Sequence, residues 1–212
     1  GVPKGASLFF YTDPKKKGYT NMKKILLVDA SPRKNGNSEV IVDTLAADLP
    51  EAEVTVFKMR EKECHPCLGC GICQGKESQM CVQKDDIATL LPVIEACDAI
   101  LVATPIYNQQ IASQAKLFIE RFYPFFHVDK KNMSNTGKFG KKAALVCSCW
   151  GSPQDITEKY AAWTVSGFSQ MGAEQFKSCV FAGIAERGAI KEREDYMQTI
   201  HALAKWLEEG GE

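Results

Sequence analysis

The sequence lacks an excess of charge of either sign, because its 26 Lys and Arg residues equal its 26 Asp and Glu residues. A neutral chain has no broad attraction to nucleic acid or to an anionic membrane, so we expect neither as a partner. No apolar run approaches the roughly 20 residues that a membrane-spanning helix needs. The 3 histidines are scattered, and no Ser/His/Asp or paired-carboxylate arrangement suggests hydrolysis. We therefore single out no residue as a catalytic acid, base or nucleophile.

Cysteine, by contrast, is abundant and unevenly placed. The chain has nine cysteines, an odd number, and five of them fall between Cys64 and Cys81. A secreted disulfide scaffold carries an even number in a much shorter chain, and no signal-peptide pattern stands at the start. We therefore expect a reducing compartment, the cytoplasm. There the clustered cysteines would bind a metal, carry out redox chemistry or have no special role.

Periodic structure begins at Met22, so we interpret residues 1–21 as an N-terminal extension and residues 22–212 as one domain. Short apolar runs predict strands at residues 25–28, 54–57, 99–103, 143–146 and 176–181. Apolar residues at helical spacing predict helices at residues 38–49, 85–94, 113–122, 156–167 and 197–207. Five strands separated by helices predict a doubly wound α/β domain. Its parallel sheet would have the flavodoxin-like order 2-1-3-4-5, with helices on both faces.

The loop from Ala30 to Ser38, after the first predicted strand, has the composition of an anion site. It contains hydroxyl and amide side chains, a glycine and two cations, and it leads into a helix N-terminus. A phosphate there would meet unpaired N–H groups and the positive end of the helix dipole, and Arg33 would add charge-assisted hydrogen bonds. The loop matches neither G-x-x-x-x-G-K-[ST] nor G-x-G-x-x-G, which disfavours a P-loop nucleotidase and a dinucleotide Rossmann domain. An ordinary polar turn with Ser38 as N-cap is the alternative.

The same loop carries a family resemblance. Its motifs are Ser31-Pro32-Arg33 and Gly36-Asn37-Ser38. They resemble the phosphate loop of the NAD(P)H-dependent FMN reductase and iron-sulfur flavoprotein group of the flavodoxin-like superfamily, with Ala30 replacing the usual glycine. The resemblance implies that the FMN phosphate is held by Ser31, Arg33, Asn37 and Ser38.

Two further loops carry the resemblance and would face the flavin ring. Residues 104–108 match the family's Thr-Pro-x-Tyr-Asn loop, and the next helix resembles its Lys-x-Phe-[Ile/Leu]-Asp-Arg segment, with Glu120 in place of Asp. Residues 147–153 take the place of a glycine-rich loop. For the tryptophan in this loop, core or interface packing is the alternative to stacking on the ring. The resemblance, which covers about residues 22–183, implies flavin contacts from Pro105, Ile106, Tyr107, Asn108, Trp150 and Gly151.

The cysteine segment resembles the cluster-binding motif of iron-sulfur flavoproteins. Four thiolates are what a [4Fe-4S] cluster requires, and two-residue gaps let one loop supply three of them. A four-thiolate zinc site has the same ligand count. Plain flavin reductases of the group carry a similar stretch without a cluster, so free or redox-labile thiols are a third alternative, and Cys64 leaves the choice of ligands open. The resemblance implies Cys67, Cys70, Cys73 and Cys81 as the ligands.

The function that the resemblance implies is that of an FMN-dependent oxidoreductase. It would pass electrons from NADH or NADPH, as co-substrate, through bound FMN to a small-molecule acceptor such as a quinone or a flavin. One alternative is an electron carrier with FMN and a [4Fe-4S] cluster, reduced by a ferredoxin-like protein. Another is a flavodoxin-like binding module without catalytic activity. By the same resemblance we expect a homodimer or homotetramer.

Overall fold

The computed structural model describes residues 22–74, 81–128, 133–135 and 140–209, so the expected extension at residues 1–21 lies outside the described residues. The strands are β1 Lys24–Asp29, β2 Glu53–Lys58, β3 Ala99–Tyr107, β4 Gln110–Ile111, β5 Phe126–Val128, β6 Met133–Asn135, β7 Lys141–Ser148 and β8 Ala173–Phe181. The α-helices are α1 Asn37–Ala47, α2 Asp86–Ala96, α3 Ser113–Glu120, α4 Gln154–Ser166 and α5 Glu194–Glu208. Among the described residues, no helix has both the length and the apolarity to cross a bilayer.

The main sheet is parallel and has the order β2-β1-β3-β7-β8. The five parallel strands therefore stand as second, first, third, fourth and fifth in chain order. The predicted count of five strands is corrected to six, because the short β4 pairs antiparallel with β3. The chain can reverse so tightly because Asn108 and Gln109 adopt positive φ angles of 47° and 65°. Two short strands, β5 and β6, form a separate antiparallel pair.

Helices cover both faces of the main sheet, as predicted. On one face α2, α3 and α4 pack over a core that includes Ile94 and Phe118. On the other face α1 and α5 pack over a core that includes Ile41 and Leu203. Adjacent residues of a central strand point to opposite cores, which explains why these strands are continuous apolar runs rather than alternating ones.

The loops that follow the parallel strands meet at the carboxyl edge of the sheet. There the N–H of Ala30 donates to the carbonyl oxygen of Ala103 (2.9 Å), and the N–H of Cys149 donates to that of Phe181 (2.9 Å). These bonds tie the ends of β1 to β3 and of β7 to β8. The winding of the chain reverses between β1 and β3, and a sheet of this kind leaves a crevice at that point.

Two adjacent lysines of β7 are buried and bind the ends of two helices. Lys141 Nζ donates to two carbonyl oxygens at the C-terminus of α2, at 2.5 and 2.6 Å. Lys142 Nζ donates to two carbonyl oxygens at the C-terminus of α5, at 2.5 and 2.8 Å. The last carbonyls of a helix have no intrahelical partner and attract positive charge. The two amines thus fasten one helix on each face of the sheet.

Candidate functional site

A cleft of about 270 Å³ opens at the carboxyl edge of the sheet, where the loops after β1, β3, β7 and β8 meet. Most of the residues expected to contact FMN line it together: Ser31, Arg33, Asn37, Ser38, Pro105, Ile106, Tyr107 and Trp150. Asn108, which forms the turn between β3 and β4, and Gly151 do not line it. The three loops expected to form one site are therefore neighbours in space.

The N-terminus of α1 faces this cleft without a side-chain cap. Its N-cap residue is Gly36, and no side chain bonds to the first-turn N–H groups from the cap position. Ser38 is buried inside the first turn, so its interpretation as the N-cap is wrong. In the β1–α1 loop (residues 30–36), Ser31 Oγ accepts the N–H of Arg33 (3.1 Å) and tightens the turn. The unpaired N–H groups and the nearby guanidinium fit the phosphate of FMN.

Asn37 uses its side chain to fasten the opposite wall of the cleft. Its Nδ2 donates to the carbonyl oxygen of Glu186 (3.0 Å), and its Oδ1 accepts the N–H of Ile190 (3.1 Å). Both polar atoms of the amide thus contact the β8–α5 loop (residues 182–193). These hydrogen bonds give Asn37 a docking role. The contact with the FMN phosphate that the resemblance implies stays a prediction, and Asn37 does line the cleft.

A buried charge network lies beneath the β1–α1 loop. Asp29, at the end of β1, accepts the N–H of Ser31 (3.1 Å) and forms an ion pair with Arg60. Arg60 also contacts Glu39 of α1 (2.6 Å), and Glu39 accepts the N–H of Asn35 (2.5 Å). This last bond holds Asn35 in the left-handed region, at a φ of 58°. Arg60 therefore links both ends of the loop, although it follows β2 in the sequence.

The network makes a prediction about pH. Burial raises the pKa of Asp29 to about 6, against the opposing effects of the Ser31 N–H and Arg60. Because this pKa exceeds that of an unfolded Asp, the native state binds the proton more tightly, and acidification favours folding in this range. Between about pH 7 and pH 5, wild type should gain about 1 kcal/mol of stability relative to Asp29→Asn.

Urea unfolding of both proteins at the two pH values measures this difference directly. Subtracting the change seen in Asp29→Asn from the change seen in wild type cancels the other titrating groups, which the two proteins share. A difference that stays constant with pH would show that Arg60 keeps Asp29 ionised throughout, and the expectation would then be wrong.

The aromatic side of the cleft is formed by the loops after β3 and β7. The Tyr107 ring is 39% exposed, and the guanidinium of Arg33 lies 5.7 Å from its centroid. Trp150 is 75% exposed, an unusual state for so large an apolar ring. The two rings border the same cleft, so a planar aromatic ligand would find apolar surface there.

Sequence reasoning missed the fourth wall of the cleft. The structure places Ile184, Ala185, Glu186 and Arg187 there. Gly36, Ser148 and Cys149, which belong to the segments already expected at the site, also line the cleft. The fifth parallel strand ends at the same sheet edge as the strands before the other three loops. This rule was the signal in the sequence that could have placed its loop at the site. Arg187 lies in this loop between Gly183 and Gly188, whose φ angles are 73° and 71°. Two arginines, Arg33 and Arg187, therefore line the cleft.

A second concavity, of about 20 Å³, lies in the cysteine segment. Four cysteines line it together: Cys67, Cys70, Cys73 and Cys81. Gly69 and Gly71 adopt positive φ angles of 61° and 69°, which lets the chain wrap around it, and the Gly69 N–H donates to the Cys67 sulfur (3.4 Å). The enclosed part of the concavity has room for one water-sized group, so a larger cofactor would need the side that opens to solvent. The concavity opens to solvent, because Cys70 is exposed.

The fifth cysteine of the segment, Cys64, does not line this concavity. Burial and then the carboxylates of Asp85 and Asp86 raise the pKa of Cys64 to about 12, which disfavours its thiolate. The structure thus separates it from the other four thiols. Within residues 22–74, 81–128, 133–135 and 140–209, no three His, Cys, Asp or Glu side chains are arranged to hold a single metal ion. The donor set of four thiols matches that of a [4Fe-4S] cluster in type and number.

A buried ion pair anchors the cysteine segment to the helices behind it. Asp85 and Arg121 are joined by two bonds, of 2.6 and 3.0 Å, and their side chains are 0% and 1% exposed. Burial alone would raise the pKa of Asp85, but hydrogen bonds from Arg121, His65 and Ala88 lower it. The carboxylate is therefore held in its charged form.

The comparisons with known proteins agree with this geometry. A family model described as NADPH-dependent FMN reductase matches residues 23–180. The chain belongs to this family. An iron-sulfur flavoprotein of Archaeoglobus fulgidus is 32% identical over 128 residues, which cover 59% of this chain and 55% of the relative. An iron-sulfur flavoprotein of Methanosarcina thermophila is 29% identical over 188 residues, which cover 87% of this chain and 93% of the relative.

The chain spans about half the length of the Archaeoglobus relative and of an iron-sulfur flavoprotein from Methanocaldococcus jannaschii, at 55% and 52%. Solved structures of the same fold include an NAD(P)H:quinone oxidoreductase from Methanothermobacter marburgensis, with a TM-score of 0.69 and 16% identity over 89% of this chain and 100% of that one. An FMN-dependent NADH-azoreductase from Bacillus anthracis, solved with FMN, has a TM-score of 0.65 and 13% identity over 89% of this chain and 100% of that one. Both confirm the flavodoxin-like architecture for this member of the FMN reductase family.

Proposed function

We propose that this protein is an FMN-dependent oxidoreductase that passes electrons from NADH or NADPH to a small acceptor such as a quinone or a flavin. One observation carries the proposal. A single cleft joins an uncapped helix N-terminus with Arg33, which suits a phosphate, to the exposed rings of Tyr107 and Trp150, which suit a flavin. Membership of the NADPH-dependent FMN reductase family supports it.

The protein's part in the reaction is to bind and orient. The N–H groups at the start of α1 and the guanidinium of Arg33 would hold the phosphate, and Asp29, Glu39 and Arg60 would hold the loop that presents them. The end of β3, which carries Tyr107, would lie along the ring. Bound FMN supplies the hydride and electron chemistry, so no side chain needs to act as acid or base.

Arg33→Ala tests this assignment. Loss of a charge-assisted hydrogen bond should weaken FMN binding by about 10- to 100-fold, equivalent to about 1.5–3 kcal/mol. Lys34→Ala is the matched control, because it removes the same charge from the same loop but from a residue outside the cleft. The quenching of flavin fluorescence measures the affinity of each protein. Equal affinities in wild type and Arg33→Ala would remove Arg33 from the phosphate site, and a wild type that does not bind FMN would indicate a module of another kind.

The four thiols favour a second candidate, an iron-sulfur flavoprotein that carries electrons between FMN and a ferredoxin-like protein. Its support is the shared concavity of the cysteines and the similarity to the iron-sulfur flavoproteins of Archaeoglobus fulgidus and Methanosarcina thermophila. Cys67, Cys70, Cys73 and Cys81 would hold the cluster, which supplies one-electron transfer. Iron and sulfide analysis with an anaerobic absorption spectrum tests it. About four irons per chain together with slow NAD(P)H oxidation would favour the carrier, and flavin bands without iron would favour the reductase.

We further infer a homodimer or homotetramer in the cytoplasm. The exposed apolar side chains of Trp150, Ile156 and Trp163 lie beside the cleft or on α4 and give a second subunit a surface to cover. Unbridged thiols in the cysteine segment fit a reducing compartment. Light scattering of the purified chain measures the assembly, and a monomer at micromolar concentration would contradict it.

A further inference from the structure

The guanidinium of Arg121 donates hydrogen bonds to both a carboxylate and a thiol. Both of its terminal nitrogens bond to Asp85, at 2.6 and 3.0 Å. Nη1 also donates to the carbonyl oxygen of His65 (2.8 Å), and Nη2 also donates to the sulfur of Cys81 (3.4 Å). A side chain at the end of α3 thus contacts both arms of the cysteine segment, the one that precedes Cys67 and the one that contains Cys81.

Asp85 connects the same pair to α2. One carboxylate oxygen accepts the N–H of Ala88 (2.9 Å) and caps the helix, while the other accepts the N–H of His65 (2.9 Å). The carboxylate is therefore saturated by backbone donors and by Arg121. Of the two members of the ion pair, Arg121 is the one that contacts the thiol.

We propose that Arg121 is the positioning residue of a [4Fe-4S] cluster held by Cys67, Cys70, Cys73 and Cys81, and that it sets the reduction potential of this cluster through Cys81. The inference rests on the iron-sulfur candidate above. It goes beyond the ligand set, because it assigns a role to a residue outside the cysteines. Its geometric basis is the hydrogen bond from Nη2 to the Cys81 sulfur. Two further hydrogen bonds to Asp85 keep the guanidinium in place.

The sign of the effect follows from charge. A cluster with four thiolate ligands becomes more negative when it gains an electron. The charge of Arg121 is balanced by that of Asp85, so the double variant described below changes no net charge. What it removes is the hydrogen bond from Nη2 to the Cys81 sulfur, and a hydrogen bond to a ligand sulfur stabilises the extra electron. Loss of this hydrogen bond should therefore lower the reduction potential.

The test replaces both members of the pair with neutral amide side chains, in the variant Asp85→Asn/Arg121→Gln. This avoids a buried charge without a partner, which a single change would create. The matched control is Lys116→Gln/Glu120→Gln, which neutralises an exposed ion pair of 2.9 Å on the same helix α3. All three proteins are reconstituted anaerobically with iron and sulfide. They are then titrated with dithionite in the presence of redox mediators, while the cluster is followed by electron paramagnetic resonance.

We expect about four irons per chain in wild type and in the control. In the test variant the equilibrium constant for one-electron reduction should fall about tenfold, a shift of about 59 mV to lower potential. A potential equal to that of the control would overturn the proposal, and so would a wild type that takes up no iron. The FMN content of the same samples reports separately on the flavin site, so failure of the cluster proposal is distinguishable from failure of the proposed flavin chemistry.

Discussion

Replacement of Asp85 by alanine is expected to lower the free energy of unfolding by about 3–5 kcal/mol. The change leaves the guanidinium of Arg121, which is 1% exposed, without its charged partner in the protein interior. It also removes the acceptor for the N–H of Ala88 that caps α2, and the acceptor for the N–H of His65. Urea unfolding followed by circular dichroism measures the loss. The expected loss is large for a single substitution, because the unpaired buried charge of Arg121 and the lost cap of α2 add together.

The neighbouring aspartate provides the control. Asp86 accepts one hydrogen bond, from the N–H of Glu63 (2.8 Å), at a more exposed position, so Asp86→Ala should cost about 1 kcal/mol. The double variant Asp85→Ala/Arg121→Met should be more stable than the sum of the two single changes predicts, since it removes both charges. If Asp85→Ala costs no more than Asp86→Ala, the ion pair is not the anchor of the cysteine segment.

The second large effect is expected from Asn37→Asp, which replaces the side-chain NH2 group by an oxygen and keeps the shape nearly constant. The new carboxylate would stand beside the expected phosphate position. At a separation of roughly 5 Å and an effective dielectric constant of about 20, the repulsion is about 3 kcal/mol, which corresponds to about 100-fold weaker FMN binding. The carboxylate would also face the carbonyl oxygen of Glu186, to which Asn37 now donates at 3.0 Å. In the protein without FMN, the free energy of unfolding should fall by less than this repulsion of about 3 kcal/mol, because a negative charge is favourable at a helix N-terminus.

Riboflavin, which lacks the phosphate, separates the two causes. Its affinity should fall only by the effect of the displaced β8–α5 loop, about 1 kcal/mol or less than tenfold. Fluorescence titrations of wild type and variant with both flavins provide the four affinities. An equal loss for FMN and riboflavin would show that no phosphate binds beside Asn37, and the flavin site would have to lie elsewhere or in another orientation.

Most of the cleft could be predicted from the sequence because its parts are local. The β1–α1 loop and the β3–β4 loop are short stretches with their own polar and turn residues, and each directly follows an apolar strand. The rule that parallel strands end at one edge then places Arg33 near Tyr107. The wall formed by residues 184–187 was missed, because no comparable motif marks the loop after the last strand. The hydrogen bonds of Asn37 were not foreseen for a related reason, since its partners Glu186 and Ile190 lie about 150 positions away.

The sequence by itself determined the parallel α/β architecture, the anion-binding composition of the loop at Ser31, and the grouping of the cysteines. These follow from the alternation of strand and helix patterns and from neighbours along the chain. Only the tertiary structure decided which charged groups meet in the interior. Arg60 reaches Asp29, Arg121 reaches Asp85 and Cys81, and Lys141 reaches the end of α2. A lysine or an arginine has the same appearance in a sequence whether it is solvated or buried, and its partner is chosen by the packing of distant elements.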